Sequence, residues 1–170
     1  MSALVLRDAV AGDAAAIAAI YAHHVLHGTA TFDVDPPDAD FWRDKIADMG
    51  RRGWPFIVAD EGGGAIGYAY AAQFRDRAAY REACEDSIYI APDATGRGVG
   101  RALLAALVDA ATAAGFREMI AVIGGAEPAS VAVHARLGFV EAGRLRDVGI
   151  KFGRRLDTLY MQRSLGADER

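Results

Sequence analysis

Apolar and polar positions alternate along this chain with two different periods, and the changes of period mark out its elements. Leu4-Val5-Leu6-Arg7 is a short strand-like run, and Asp13 stands where it can cap a helix whose Ile17, Ile20, Tyr21 and Val25 recur at helical spacing. A loop of small polar residues and prolines, Gly28 to Pro37, leads to a second helix over Ala39 to Met49. Phe56–Ala59 and Ala65–Tyr70, joined by Glu61-Gly62-Gly63-Gly64, predict a β-hairpin. Glu85–Ile90 predicts a central strand, and Val99, Leu103, Leu104, Leu107, Val108 and Ala111 form the apolar face of a long helix that Gly115 can end. Met119–Ile123 is then a strand parallel to Glu85–Ile90, because a helical crossover joins them. A short helix from Pro128 to Leu137 closes at Gly138, and Phe139–Val148 and Thr158–Arg163 read as an antiparallel pair around Gly149 and Gly153.

Composition narrows the setting. With 170 residues, 52% of them hydrophobic, the chain is long enough for one core and short for two, so residues 1–165 are expected to form a single domain with a frayed tail at 166–170. A net charge of -4 supplies no field for nucleic acid. No apolar run approaches the ~20 residues that span a bilayer, which argues against a membrane role. The lone Cys84 has no disulfide partner and the start of the chain lacks signal-peptide regions, so a cytoplasmic location is expected.

The chemistry concentrates after the central strand, in Thr95-Gly96-Arg97-Gly98-Val99-Gly100-Arg101. Three alternate glycines at the start of a helix leave backbone N–H groups without intrahelical partners and place no Cβ before them, and two arginines add positive charge. Phosphate or pyrophosphate is the natural guest of such a loop. A Walker loop would need a Gly-Lys-Ser/Thr ending, and a Rossmann fingerprint would need wider glycine spacing and an acidic residue after the next strand, where Gly124 and Gly125 stand. The phosphate therefore belongs to another cofactor.

Strand, glycine loop, helix and strand, followed by Ser130 to Phe139 with Leu137-Gly138-Phe139, resemble the GNAT superfamily of acetyl-CoA-dependent N-acyltransferases. Ile20-Tyr21, Thr29-Ala30-Thr31-Phe32, Glu85 to Ile90, Ala121 to Gly124 and Gly149 to Gly153 are more narrowly similar to the phosphinothricin and methionine sulfone or sulfoximine acetyltransferases. The resemblance covers nearly the whole chain. It implies an α/β fold with a mixed, mostly antiparallel sheet, two splayed parallel central strands and helices on both faces. Acetyl-CoA would lie in the splay, with Ile88, Tyr89, Ile90 and Ser130 along its pantetheine arm and Thr95, Gly96, Arg97, Gly98, Val99, Gly100 and Arg101 around its pyrophosphate. Two positions depart from the pattern: Thr95 stands where Arg or Gln is usual, and Glu127 where an Asn commonly meets the cofactor or holds the splayed strands. The resemblance also implies a homodimer.

Acetyl transfer to an amine calls for a base to free the nitrogen lone pair and an acid for the departing thiolate. Glu85, at the start of the central strand, shares a face with Ser87 and Tyr89 and is the candidate base; Cys84 lies on the opposite face, which favours direct attack in a ternary complex over an acetyl-enzyme. His134 follows Glu127 by seven residues, where related enzymes carry a proton donor, and an imidazolium suits that task. Arg75 and Arg77 lie on one side if their segment is extended and match the basic pair that holds an acceptor carboxylate, with Tyr80, Phe32, Thr31 and Lys151 as further candidate walls of the acceptor pocket. His23 and His27 sit one turn apart but have no third ligand, so no metal is expected. The expected acceptor is a small amino acid; another amine (peptide N-terminus, polyamine or aminoglycoside) and a non-catalytic acyl-CoA-binding module are the alternatives.

Overall fold

A computed structural model describes residues 3–166; the tail expected at 166–170 falls, beyond Gly166, outside them. Seven strands, β1 (Val5–Asp8), β2 (Phe56–Asp60), β3 (Ala65–Gln73), β4 (Ala83–Ile90), β5 (Glu118–Gly124), β6 (Val140–Lys151) and β7 (Arg154–Ser164), form one sheet in the order β1-β2-β3-β4-β5-β7-β6. Every neighbouring pair is antiparallel except β4 and β5, which the helical crossover makes parallel.

Four helices, α1 (Ala14–His27), α2 (Ala39–Arg52), α3 (Val99–Ala113) and α4 (Pro128–Arg136), cover the sheet. The two-residue alternation of the strands sorts the side chains into two cores. Val58 and Tyr68 join Ile17, Tyr21 and Trp42 beneath α1 and α2, while Ile57, Ala69, Cys84 and Met119 join Leu103, Leu104 and Leu107 beneath α3. Gly115, at φ +96°, ends α3 as expected, since the left-handed turn there suits glycine.

Two sequence readings change. Asp13 caps no N–H of α1: its carboxylate accepts from Val10 N at 2.8 Å and pairs with Arg7 at 2.8 Å, because a 3-10 turn at Ala11–Asp13 precedes the helix. Those bonds lower the pKa of Asp13, the Arg7 hydrogen bond outweighing the opposing effect of burial. The last hairpin is longer than its glycines suggested. Gly149 lies inside β6, paired with Leu156, and the chain reverses at Phe152 (φ +52°) and Gly153 (φ +69°). Gly149 is glycine for its neighbour instead: a Cβ there would lie 2.2 Å from the Phe32 ring.

Leu104 is fully buried in the larger core. Leu104→Ala is expected to lower unfolding free energy by about 2–5 kcal/mol, read from urea denaturation.

Candidate active site

The site begins where two strands stop pairing. The β4–β5 ladder runs from Ala83↔Glu118 to Asp86↔Ala121 and ends there, although β4 stays paired with β3 as far as Ile90 and β5 stays paired with β7 as far as Gly124. Beyond Asp86 the sheet forks. Ala91 N donates to Ile66 O at 2.8 Å and Phe74 N to Ala83 O at 2.9 Å, so the odd-numbered residues of β4 turn their backbones toward β3. Ile88 and Ile90 therefore turn theirs into the fork, and Val122 and Gly124 face them from β5, because Gly125 bonds Asp157 of the β7 side. Tyr89 shares the wall, but its backbone belongs to β3 and its ring packs against Tyr21 and His24. One expectation is revised at Ile90. His24 Nε2 donates to its carbonyl at 2.8 Å, leaving Ile88 as the freer backbone partner on β4.

A cavity of about 790 Å³ fills the fork and runs into the glycine loop; Thr95, Gly96, Gly98, Val99, Gly100 and Arg101 line that end. Gly96 (φ +74°) and Gly98 (φ +82°) take left-handed turns that deliver the chain into α3, whose first intrahelical acceptor is Gly98 O, bonded by Ala102 N. Among the described residues, no backbone carbonyl accepts from the N–H groups of 95–101. Thr95 turns its hydroxyl back to Pro92 O at 3.0 Å, so only its backbone serves the loop. Arg97 is absent from the cavity wall; its guanidinium is paired with Glu61 of the β2–β3 turn.

Glu85 lines the other end on the α1–α2 side of β4, its side chain 34% exposed and 3.4 Å from Arg75 Nη1. Burial pushes its pKa above the ordinary glutamate value, against the pull of the Arg75 charge and with the help of Asp86. Arg75 also donates to Phe74 O and stacks on the Phe74 ring. Arg77 and Tyr80 are exposed and outside the cavity wall. Residues 74–82 form bends and a 3-10 turn, so the condition of an extended segment is not met and alternation does not bring Arg77 beside Arg75.

His134, 2% exposed, lines the α4 side of the fork. Its Nδ1 lies 2.7 Å from Ser130 O and its Nε2 2.9 Å from Asp86 Oδ2. Burial works against its charge, but the Asp86 hydrogen bond and charge, with the Ser130 carbonyl, outweigh it and raise its pKa. Asp86 was the residue sequence reading missed; alternation was the signal, since it turns Asp86 to the face opposite Glu85. Glu127 has a structural role: its carboxylate accepts from Ala129 N at 3.2 Å and Ser130 N at 2.8 Å, capping α4 with Pro128 at the first helical position.

The α1–α2 loop closes the acceptor side. Thr31 bonds the buried Tyr21 hydroxyl at 2.7 Å, and Phe32 lies over Gly124 and Gly149, where side chains would collide with it. Lys151 corrects another expectation. It is 4% exposed and off the cavity wall, donating from Nζ to Thr31 O at 2.8 Å, so it fastens the loop from behind. Burial lowers its pKa. Among the described residues, no group of three His, Cys, Asp or Glu side chains could hold a metal, and no helix is long and apolar enough to cross a membrane.

A cleft with an amide-rich anion loop at one end, an open strand edge along its length and an elevated carboxylate at the other is built for group transfer from a phosphate-bearing carrier. A family profile described as the acetyltransferase (GNAT) domain matches residues 6–160, and the chain belongs to that family. It is 49% identical over 166 residues to a phosphinothricin N-acetyltransferase of Alcaligenes faecalis, covering 97% of this chain and 83% of the relative. It is 40% identical to an L-methionine sulfoximine/L-methionine sulfone acetyltransferase of Pseudomonas paraeruginosa, covering 94% of each chain. The crystal structure of a GNAT superfamily phosphinothricin acetyltransferase from Sinorhizobium meliloti in complex with acetyl-CoA superposes with a TM-score of 0.93 at 51% identity, over 96% of this chain and 89% of that one.

Glu127→Ala removes the cap of α4 and is expected to cost about 1 kcal/mol in urea denaturation, most of which Glu127→Asn should restore.

Proposed function

We propose that the chain is an acetyl-CoA-dependent N-acetyltransferase that acetylates the α-amino group of a small amino-acid-like acceptor of the methionine sulfone, methionine sulfoximine or phosphinothricin kind. The observation that carries this reading is the fork above Asp86, whose unanswered backbone edge leads directly into the glycine loop. These residues fit the cofactor: Ile88 and Val122 offer backbone groups to amides, and the N–H groups around Gly96, Gly98, Val99 and Gly100, with Arg101, offer an anion site. When bound, acetyl-CoA supplies the activated acetyl thioester.

Glu85 takes the proton of the acceptor ammonium, directly or through water, a task its burial-raised pKa suits near neutrality. His134 stands on the opposite wall with Nδ1 toward Ser130 and Nε2 toward Asp86, and is the proposed donor for the departing sulfur, giving up the proton it shares with Asp86 only as the thiolate forms. Arg75, at the edge of Glu85, offers a guanidinium to an acceptor carboxylate. Cys84 supports direct transfer: it is fully buried, its thiol donates to Glu118 O, and burial, with the nearby Asp86 charge, pushes its pKa up to about 12, so it presents no thiolate.

Assembly as a homodimer is part of the proposal. β6 is an edge strand, and Leu145, Val148, Ile150 and Phe152 are exposed on or just beyond it, an apolar surface that a second copy can cover.

Free-thiol release across amino acids, polyamines and aminoglycosides tests the activity: an amino acid with a free α-carboxylate should turn over fastest, and no release with any amine would defeat the reading. Glu85→Gln should lower kcat at neutral pH by about 10²–10⁴-fold and abolish the acid limb of the pH profile, which in the parent lies above the ordinary glutamate range. Light scattering should give a dimer mass, and Ile150→Glu should shift it toward monomer; a monomeric parent would rule out the assembly.

A further inference from the structure

The Asp86–His134 pair sits at the last rung of the β4–β5 ladder, with its carboxylate side chain 1% and its imidazole 2% exposed. Each bond restricts where protons reside. Ser130 O is a carbonyl and can only accept, so Nδ1 of His134 carries a hydrogen. Nε2 then faces Asp86 Oδ2 at 2.9 Å in one of two ways: Nε2–H donates to a carboxylate, or Nε2 accepts from a carboxylic acid. Both arrangements contain one proton between the two side chains. Neither leaves a free lone pair on the ring, and the ring is further packed by Phe139, at 90° with 5.0 Å between centroids.

We propose that Asp86 is a positioning residue acting through His134: the two side chains hold one proton between them at the fork, so His134 has no lone pair to offer and Glu85 is the sole proton acceptor in the cleft. This rests on the acetyltransferase reading for its chemical meaning but not for its test.

In the resting protein the surroundings keep the proton where it is. From β4, Asp86 is the one charged group facing the ring; Cys84 beside it remains a thiol, and Glu85 points to the opposite face of the strand. From α4, the ring meets the Ser130 carbonyl and, at 3.4 Å, the Ser130 hydroxyl. The upward shift of His134 agrees with this arrangement, since removing the proton would leave two buried acceptors facing each other. Asp86 Oδ1 is buried with no partner in the protein, so its pairing through Oδ2 is the bond that compensates the carboxyl group.

Nitrogen NMR of histidine-labelled protein reads the ring without substrate. Replacing His23, His24 and His27 by Gln leaves His134 as the only histidine observed. Between pH 6 and 8 its ring is expected to keep a hydrogen on Nδ1, with Nε2 protonated or bonded to a protonated Asp86, and to show no titration. A ring that titrates there as free imidazole would overturn the proposal. Asp86→Asn keeps the shape and should bring the ring's titration into or below this window; an unchanged ring would show that Asp86 does not hold the proton. The Glu85→Gln pH profile is the kinetic arm. It should be flat from pH 6 to 8, and a surviving limb in the histidine range would assign base work to His134. A protein that releases no thiol with any amine yet keeps a non-titrating ring would defeat the functional reading and leave the shared proton standing.

Discussion

The arrangement depends on one interruption of hydrogen bonding, the end of the β4–β5 ladder at Asp86↔Ala121. An unpaired backbone edge inside a protein is costly, and sheets normally avoid it. Here the cost is bounded because each strand keeps a full partner on its other side, β3 for β4 and β7 for β5. The fork is thereby a property of topology: the parallel pair, made by a crossover through α3, parts at one end while remaining tied at the other. The crossover also brings the glycine loop to the wide end of the opening, so a single connection supplies both the strand edge and the anion site.

The walls of the cavity are held in place by hydrogen bonds among the elements that form them. Lys151, reaching from β6, binds the carbonyl of Thr31, and Tyr21 binds its hydroxyl, so the α1–α2 loop is fixed from two directions. The glycines at 124 and 149 leave the space that the Phe32 ring occupies against both strands. On the opposite wall, Glu127 closes the N-terminal turn of α4 and the Asp86 bond anchors its last turn through His134. A long loop and a nine-residue helix, neither rigid by itself, become defined surfaces.

Sequence periodicity made the elements, the parallel pair and the glycine loop legible, because each depends on local pattern or on connection rules. What it could not reach were contacts set by tertiary packing. Lys151 read as a wall of the acceptor pocket and is a buried tether; Glu127 read as an anomaly near the cofactor and is a helix cap; Arg77 read as a partner to Arg75, and the chain bends through residues 74–77 where they stand. Gly149 read as a turn residue because the ring that needs its missing Cβ lies 117 positions away in the chain, at Phe32.

The adjacent carboxylates of β4 show how far one rule carries. Alternation sends Glu85 to the α1–α2 side, where it is about one-third exposed beside Arg75, and Asp86 to the α4 side, where it is enclosed with His134. Two groups of nearly identical intrinsic acidity therefore meet different electrostatics a few ångströms apart. Glu85 keeps contact with water and stands beside the Arg75 guanidinium, so it can exchange protons with an arriving amine. Asp86, its side chain 1% exposed, is matched to a buried imidazole at 2.9 Å, so its carboxyl group meets a fixed partner. Exchanging the two faces would require a one-residue slip of β4, which would also turn Ile88 and Ile90 away from the fork; the division of labour between the carboxylates and the exposure of the strand edge are fixed by the same register.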